Sequence, residues 1–200
     1  LGEKTIPLKD PMLAAFLAWL VPGLGHFYQG RTAKAILFFV CIMGTFTYGC
    51  YLGGNSRLGW GRVVYISWSD EDWRLYFIGQ AGMGLPVLPA VIQAQRVSNK
   101  NPPLWHSFMA PPLPDWSALD PNNPNDVPAE RAKTGRFTLD EICYELHEFF
   151  ELGTVYTVIA GLLNMLVIFD AWAGPVFAEE SPAAKKEDDE QETAKKDAAT

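Results

Sequence analysis

Pro22-Gly23-Leu24-Gly25-His26-Phe27-Tyr28-Gln29-Gly30-Arg31 separates two apolar runs, and its reading decides how the chain folds. Met12 to Val21 precedes it and Ala33 to Gly53 follows it, with Lys34 the one charge in either. Pro22 and the glycines bend the end of the first run and let another helix approach closely. Phe27 and Tyr28 fall at interfacial depth, Gly30 permits a reversal, and Arg31 and Lys34 anchor the turn among headgroups. The stretch predicts a tight hairpin of two membrane spans, about Met12 to Tyr28 and Ala33 to Gly53. His26 has no second ligand nearby in sequence, so it reads as an interfacial donor and not as a metal ligand.

Outward from the hairpin, two more segments approach the roughly 20 apolar residues that a bilayer core demands. They run from Leu75 to Ala94 and from Gly153 to Val176. Lys4 and Lys9 give the first span a leader-like basic start, but no A-x-A site follows, so it is expected to be retained. The fold class is expected to be all-α: an integral membrane bundle of about four transmembrane helices with an amphipathic helix before the last span. Residues 1–98 form the N-terminal membrane region with hairpin and third span. Residues 99–137 form a Pro/Asn-rich loop, 138–177 the amphipathic helix and fourth span, and 178–200 a disordered charged tail.

Composition fits this division. The chain has 200 residues, a net charge of −7, and seven Trp of the kind that collect at membrane interfaces. Much of the charge lies beyond Glu179, in a stretch without aromatics that cannot build a core. The acidic balance excludes a nucleic-acid binder, which needs clustered Lys and Arg. Cys41, Cys50 and Cys143 form no CxxC or zinc-type pattern, and free buried thiols are expected.

Two helix starts carry capping grammar. Ser69 would cap the third span, with Asp72 at the third position and Trp68 and Trp73 closing as a staple; Asp70 and Glu71 then suit the helix dipole. Thr138 would cap the amphipathic helix, with Glu141 completing the box and Phe137 meeting Ile142. That helix sets Leu139, Ile142, Leu146, Phe149 and Phe150 against Asp140, Glu141, Glu145 and Glu148. An acidic face binds anionic lipid poorly, so it packs on protein or leads into the fourth span.

Polar and small residues inside spans are the candidate functional positions. Gly153, Thr157, Gly161 and Asn164 share one face of the fourth span and suit close helix packing, with Asn164 bonding across the seam. Gln80, Gln93 and Asp170 are intramembrane polar residues and therefore candidates for a polar path. Pro86 and Pro89 would kink the third span. Four crossings put His26 and Asp170 near opposite faces, roughly 20 Å apart at 1.5 Å per residue. Asp170 is then expected to pair with Lys9 or Arg74, and both termini lie opposite the Arg31 turn. No Ser-His-Asp order, HExxH or phosphate loop occurs.

The order Pro22, Gly23, Gly25, Phe27, Tyr28, Gly30, Arg31 ahead of an apolar span resembles the two-transmembrane-helix hairpin domain of bacteria and eukaryotes. The segment Ala160 to Ala171 is similar to a bacterial family of uncharacterised multi-span membrane proteins with a domain of unknown function. The first resemblance covers the hairpin alone, and this chain adds two spans and long loops to it. In the short form an aspartate closes the second helix; here the comparable Asp170 stands in the fourth. The resemblance implies a small membrane module, without an established activity.

The expected role is a structural or assembly/interaction module of the bacterial inner membrane, multi-pass in the lipid bilayer, working by contacts with a membrane-protein partner or by self-association. No enzyme activity, cofactor or metal is expected. The alternative is a small transporter or channel component, motivated by Pro86, Pro89, Gln80, Gln93 and Asn164.

Overall fold

The computed structural model describes residues 10–69, 72–99, 101–113 and 137–174. The charged tail, most of the Pro/Asn-rich loop, Lys4, Lys9, Asp70 and Glu71 lie outside the described residues. Helices run over Pro11–Leu20 (α1), Leu24–Tyr28 (α2), Thr32–Leu52 (α3), Tyr76–Gln80 (α4), Leu88–Ser98 (α5), Leu139–Leu146 (α6) and Glu148–Ala173 (α7). The architecture is all-α apart from a two-residue antiparallel ladder pairing Trp68–Ser69 (β1) with Asp72–Trp73 (β2).

Among the described residues, only α3 and α7 are long and apolar enough to cross a membrane. They lie antiparallel and very close. A Cβ on Gly49 would meet Gly153 O at 2.9 Å, and one on Gly153 would meet Gly49 O at 2.7 Å. At the opposite end of the pair, His26 reaches Asp170.

The first expected span is two short helices. Asp10 caps α1 by accepting from Met12 N at 2.9 Å, with Pro11 at its start where no N–H is needed. The helix stops at Leu20 because Pro22 disfavours helix at Val21, which is extended. Ten residues rise only about 15 Å. Gly23, at φ 84°, then turns the chain back along α2. Ala14 and Ala18 pack with Ala171, so α1 enters from the Asp170 end of α7 and α2 returns to that end.

The third expected span is broken as well. A 3-10 turn over Ala81–Met83 follows α4, Gly84 takes φ 69°, and a second 3-10 turn over Leu85–Val87 leads into α5. Pro86 and Pro89 sit in the first positions of that turn and of α5, so they start new helices where a kinked one was expected. Gly79 packs on Val158 and Gly82 on Gly161, so α4 runs parallel to α7 and enters from its Glu148 end. The two hairpins approach from opposite ends, and their tips meet where Gly84 lies against Trp19 and Leu20.

The Glu148 end carries a folded cap of loops around Leu58, Val63, Val64, Tyr65, Met109, Ile142 and Leu146. Arg62 is buried there and donates to Ser107 O (3.1 Å) and Ala110 O (3.0 Å). Thr138 and Glu141 form the expected capping box on α6. His147, at φ 51° and ψ −132°, is the hinge from which α6 leads directly into α7.

Ser69 does not cap a helix. It lies in β1, and α4 begins seven residues on at Tyr76. Aromatic Trp68 and Trp73 favour a strand, and a two-residue spacing between strands suits a hairpin turn.

The tip-to-tip contact sets a test. Gly84→Ala would place a methyl 1.9 Å from Trp19 O at a positive φ, whereas Gly44→Ala in α3 meets nothing within 4 Å. The first should cost at least about 2 kcal/mol and the second should stabilise by roughly 0.5–1 kcal/mol. Thermal unfolding of the purified variants separates the two.

Candidate functional site

The motif Pro22 to Arg31 binds the end of α7. Gly23 is required because a Cβ there would stand 2.4 Å from Ala35 O, and Gly25 because a Cβ would stand 2.1 Å from Ala14 O. This closeness buries His26 completely, with Phe38 edge-on at 5.0 Å. The His26 Nε2–H donates to Asp170 Oδ2 at 2.6 Å. Arg31 Nη1 lies 3.5 Å from the same oxygen, and Gln29 Nε2 donates to Ala171 O at 2.7 Å. Gly30, at φ 85°, allows the turn that brings Arg31 back under His26, where Arg31 N bonds His26 O at 2.9 Å. Tyr28 packs on the Ala14–Ala171 cluster, and Phe27 is exposed.

This corrects the expected separation of His26 and Asp170. The depth argument assumed full crossings, whereas α1–α2 turns back and leaves His26 at the end of α7 where Asp170 lies. Arg74 is not the partner of Asp170. It is buried at the other end, donating to Val63 O and Thr154 Oγ1, both at 3.0 Å, over the rings of Tyr65 and Phe150. Lys9, the other partner considered, lies outside the described residues. Gln29 was missed as a site residue, and a glutamine next to a turn carries no signal for a bond to another helix.

The remaining candidates line α7. Gly153 meets Gly49, and Gly161 meets Gly79, whose O would stand 2.0 Å from an added Cβ. Gln80 is buried and donates to Thr157 Oγ1 (2.8 Å) and Val63 O (3.1 Å). Asn164, buried midway along the contact, donates through Nδ2 to Ala18 O (3.2 Å) and Gly82 O (2.8 Å). Gln93 stands apart from this line. Its amide donates to Leu104 O and Phe108 O and accepts from Leu104 N, pinning the cap.

Chemically the site holds one carboxylate, one imidazole and one guanidinium at one end of α7, and neutral amides along it. No trio of His, Cys, Asp or Glu placed to hold a metal occurs among the described residues. Cys41, Cys50 and Cys143 are free.

Asp170→Ala removes the acceptor shared by His26 and Arg31 and should cost about 1–3 kcal/mol, since Asp170 is partly exposed. Asp170→Asn keeps an acceptor for His26 and should lose less. Unfolding temperatures in one detergent would show the order, and equal losses would mean the carboxylate charge contributes nothing.

No curated protein and no solved structure matches the chain. One family model matches residues 13–184, which include both hairpins, both long helices and the cap. The chain therefore belongs to the family of unknown function DUF6677.

Proposed function

We propose that this chain is an integral membrane protein of the bacterial inner membrane, serving as a structural or assembly module and not as an enzyme. Two helices cross the bilayer, and two hairpins enter halfway from opposite faces. The observation that carries the membrane reading is the inverted distribution of polarity. The most apolar stretches of α3 and α7 are only 28% and 39% buried, unlike core helices of a soluble protein. Ile36, Val40, Ile78, Leu162, Leu166 and Phe169 face outward, while Gln80, Gln93, Thr157 and Asn164 are buried. Water disfavours so continuous an apolar exterior, and lipid accepts it. Broken helices fit because backbone freed at membrane depth is tolerated when protein buries it. Outside the first hairpin, Pro22, Leu24, Phe27, Ile36 and Phe39 line an apolar groove of about 240 Å³, which suits an acyl chain. Arg31 and Lys34, at the turn after the PGLGH motif, supply the anchor at one face.

This reading makes the Gly30 turn and Asp10 share a membrane face, with Ser56 on the other. Four crossings would place Gly30 opposite Asp10. In a chain without native cysteines, single cysteines at 10, 30 and 56 can be labelled in sealed vesicles with an impermeant thiol reagent. Labelling of 10 and 30 from opposite sides would sink the half-depth hairpins.

A second reading, a small transporter or channel component, is favoured by one feature. Asn164 Oδ1 and Gln80 Oε1 are both buried without a hydrogen-bond partner among the described residues, on the line where the hairpins meet α7. Proteoliposomes of the purified chain should then pass alkali cations faster than empty liposomes, with Gln80→Leu slowing the flux at least tenfold. Flux equal to that of empty liposomes leaves the structural reading alone.

A further inference from the structure

The surroundings of His26 suit its imidazole in one protonation state. The ring is fully buried, its Nε2–H donates to Asp170 Oδ2, and Nδ1 is buried without a hydrogen-bond partner among the described residues. A neutral imidazole carries a single N–H, and the Asp170 contact places it on Nε2. A proton added at Nδ1 would create a second N–H with no acceptor, on a ring packed against Phe38. Burying a donor or a charge without a partner is costly.

Charge balance points the same way. The charged groups facing the ring are Asp170 from α7, with Arg31 and Lys34 from the turn and the start of α3. Helix α1 presents Ala14 and Ala18 to the adjoining Gly25. Arg31 is nine-tenths buried, stands 3.5 Å from Asp170 Oδ2, and already offsets the carboxylate. Asp170 is 36% exposed, so water weakens its pull on a second cation, whereas the imidazole is dry. Burial therefore holds His26 below its ordinary titration range; Arg31 and Lys34 act in the same sense and the Asp170 bond opposes them. The fold offers little local relief. A Cβ on Gly25 would stand 2.1 Å from Ala14 O, and one on Gly23 2.4 Å from Ala35 O, so α2 is tightly packed between α1 and α3. Its hold on α7 is largely polar: His26 and Arg31 on Asp170, and Gln29 on Ala171 O. A five-residue helix held so can open as a small unit while the long helices stay folded.

We infer that His26 is an acid-sensitive latch, whose protonation at Nδ1 releases α2 and the Gly30 turn from the Asp170 end of α7. The released state takes up the proton at the ordinary histidine value of about 6.5, above that of the docked state. Docking is therefore complete above that pH and weakens as the pH falls below it. The latch goes beyond the module reading, holds for either role above, and makes the shape of this end of the protein respond to acidity.

The test is amide hydrogen exchange on the full chain in detergent, with labelling times scaled to the intrinsic exchange rate at each pH. The amides of Phe27, Gly30 and Arg31, bonded to Gly23 O, Phe27 O and His26 O, report on α2 and its turn. Their exchange should rise about fivefold from about pH 7.5 to about pH 5.5, beginning near 6.5, while the middle of α3 stays protected. His26→Gln, whose side-chain amide donates to Asp170 and does not titrate, should lose that rise. A flat or falling wild-type profile would overturn the latch. So would a rise that begins below about pH 5, where carboxylates titrate. The same rise in His26→Gln would also overturn it, by assigning the response to another group. If that variant does not fold, the wild-type profile and its onset still decide.

Discussion

A backbone carbonyl taken out of water must find a donor, and a helix broken inside an apolar body creates several such carbonyls at once. The structure depends on how that constraint is met where α1 and the segment after α4 end. Asn164 serves a carbonyl from each, Ala18 O and Gly82 O, with the two hydrogens of one amide. Trp19 then carries the indole N–H of the first hairpin to Ala81 O of the second. The hairpins therefore cap each other, and α7 supplies the side chain that joins them. A leucine at 164 would pack as well and leave both carbonyls bare.

Such capping works only at very short range, which is what the glycines provide. Gly161 brings α7 onto the Gly79 carbonyl and Gly153 brings it onto α3, both closer than any Cβ would allow. Dispersion between backbones at these distances holds the helices together without large apolar side chains at the contact. Small residues are thereby consumed inside the chain, and the large apolar side chains of α3 and α7 are left to the exterior. Arg62 and Arg74 follow the same logic in the cap. Carbonyl oxygens receive their guanidinium N–H groups, and aromatic faces surround Arg74.

Features set by local chemistry were legible in the sequence. The box of Thr138 and Glu141 needs only its own turn of helix, and α3 and α7 needed only sustained apolar length. What the sequence concealed was depth. Ten apolar residues before Pro22 and a Gly/Pro-interrupted run from Leu75 have the composition of crossings, and composition does not distinguish a helix that continues from one that turns back. The interruptions were visible as Pro22, Gly23, Gly84, Pro86 and Pro89. A proline in the first turn of a helix looks, in sequence, the same as a proline that kinks one. Asn164 stood out as a polar residue among small ones, but its two carbonyl partners are 146 and 82 positions away and carry no side-chain signal.

The count of crossings then decides which chemistry meets. A segment that turns back leaves the chain at the end where it entered, so the residues between it and the next such return change sides relative to full crossings. His26 and Asp170 are the consequence. With four crossings they belong to opposite faces, whereas in the structure α1–α2 turns back and His26 Nε2 lies 2.6 Å from Asp170 Oδ2. The imidazole and guanidinium of the PGLGHFYQGR motif need a carboxylate at their own depth, and nothing in that requirement specifies which helix brings it. Here α3 ends at Leu52 on the far side, and α7 returns with Asp170 to the place the motif holds open. The motif is thus completed by a helix whose contact residue lies 144 positions further along the chain.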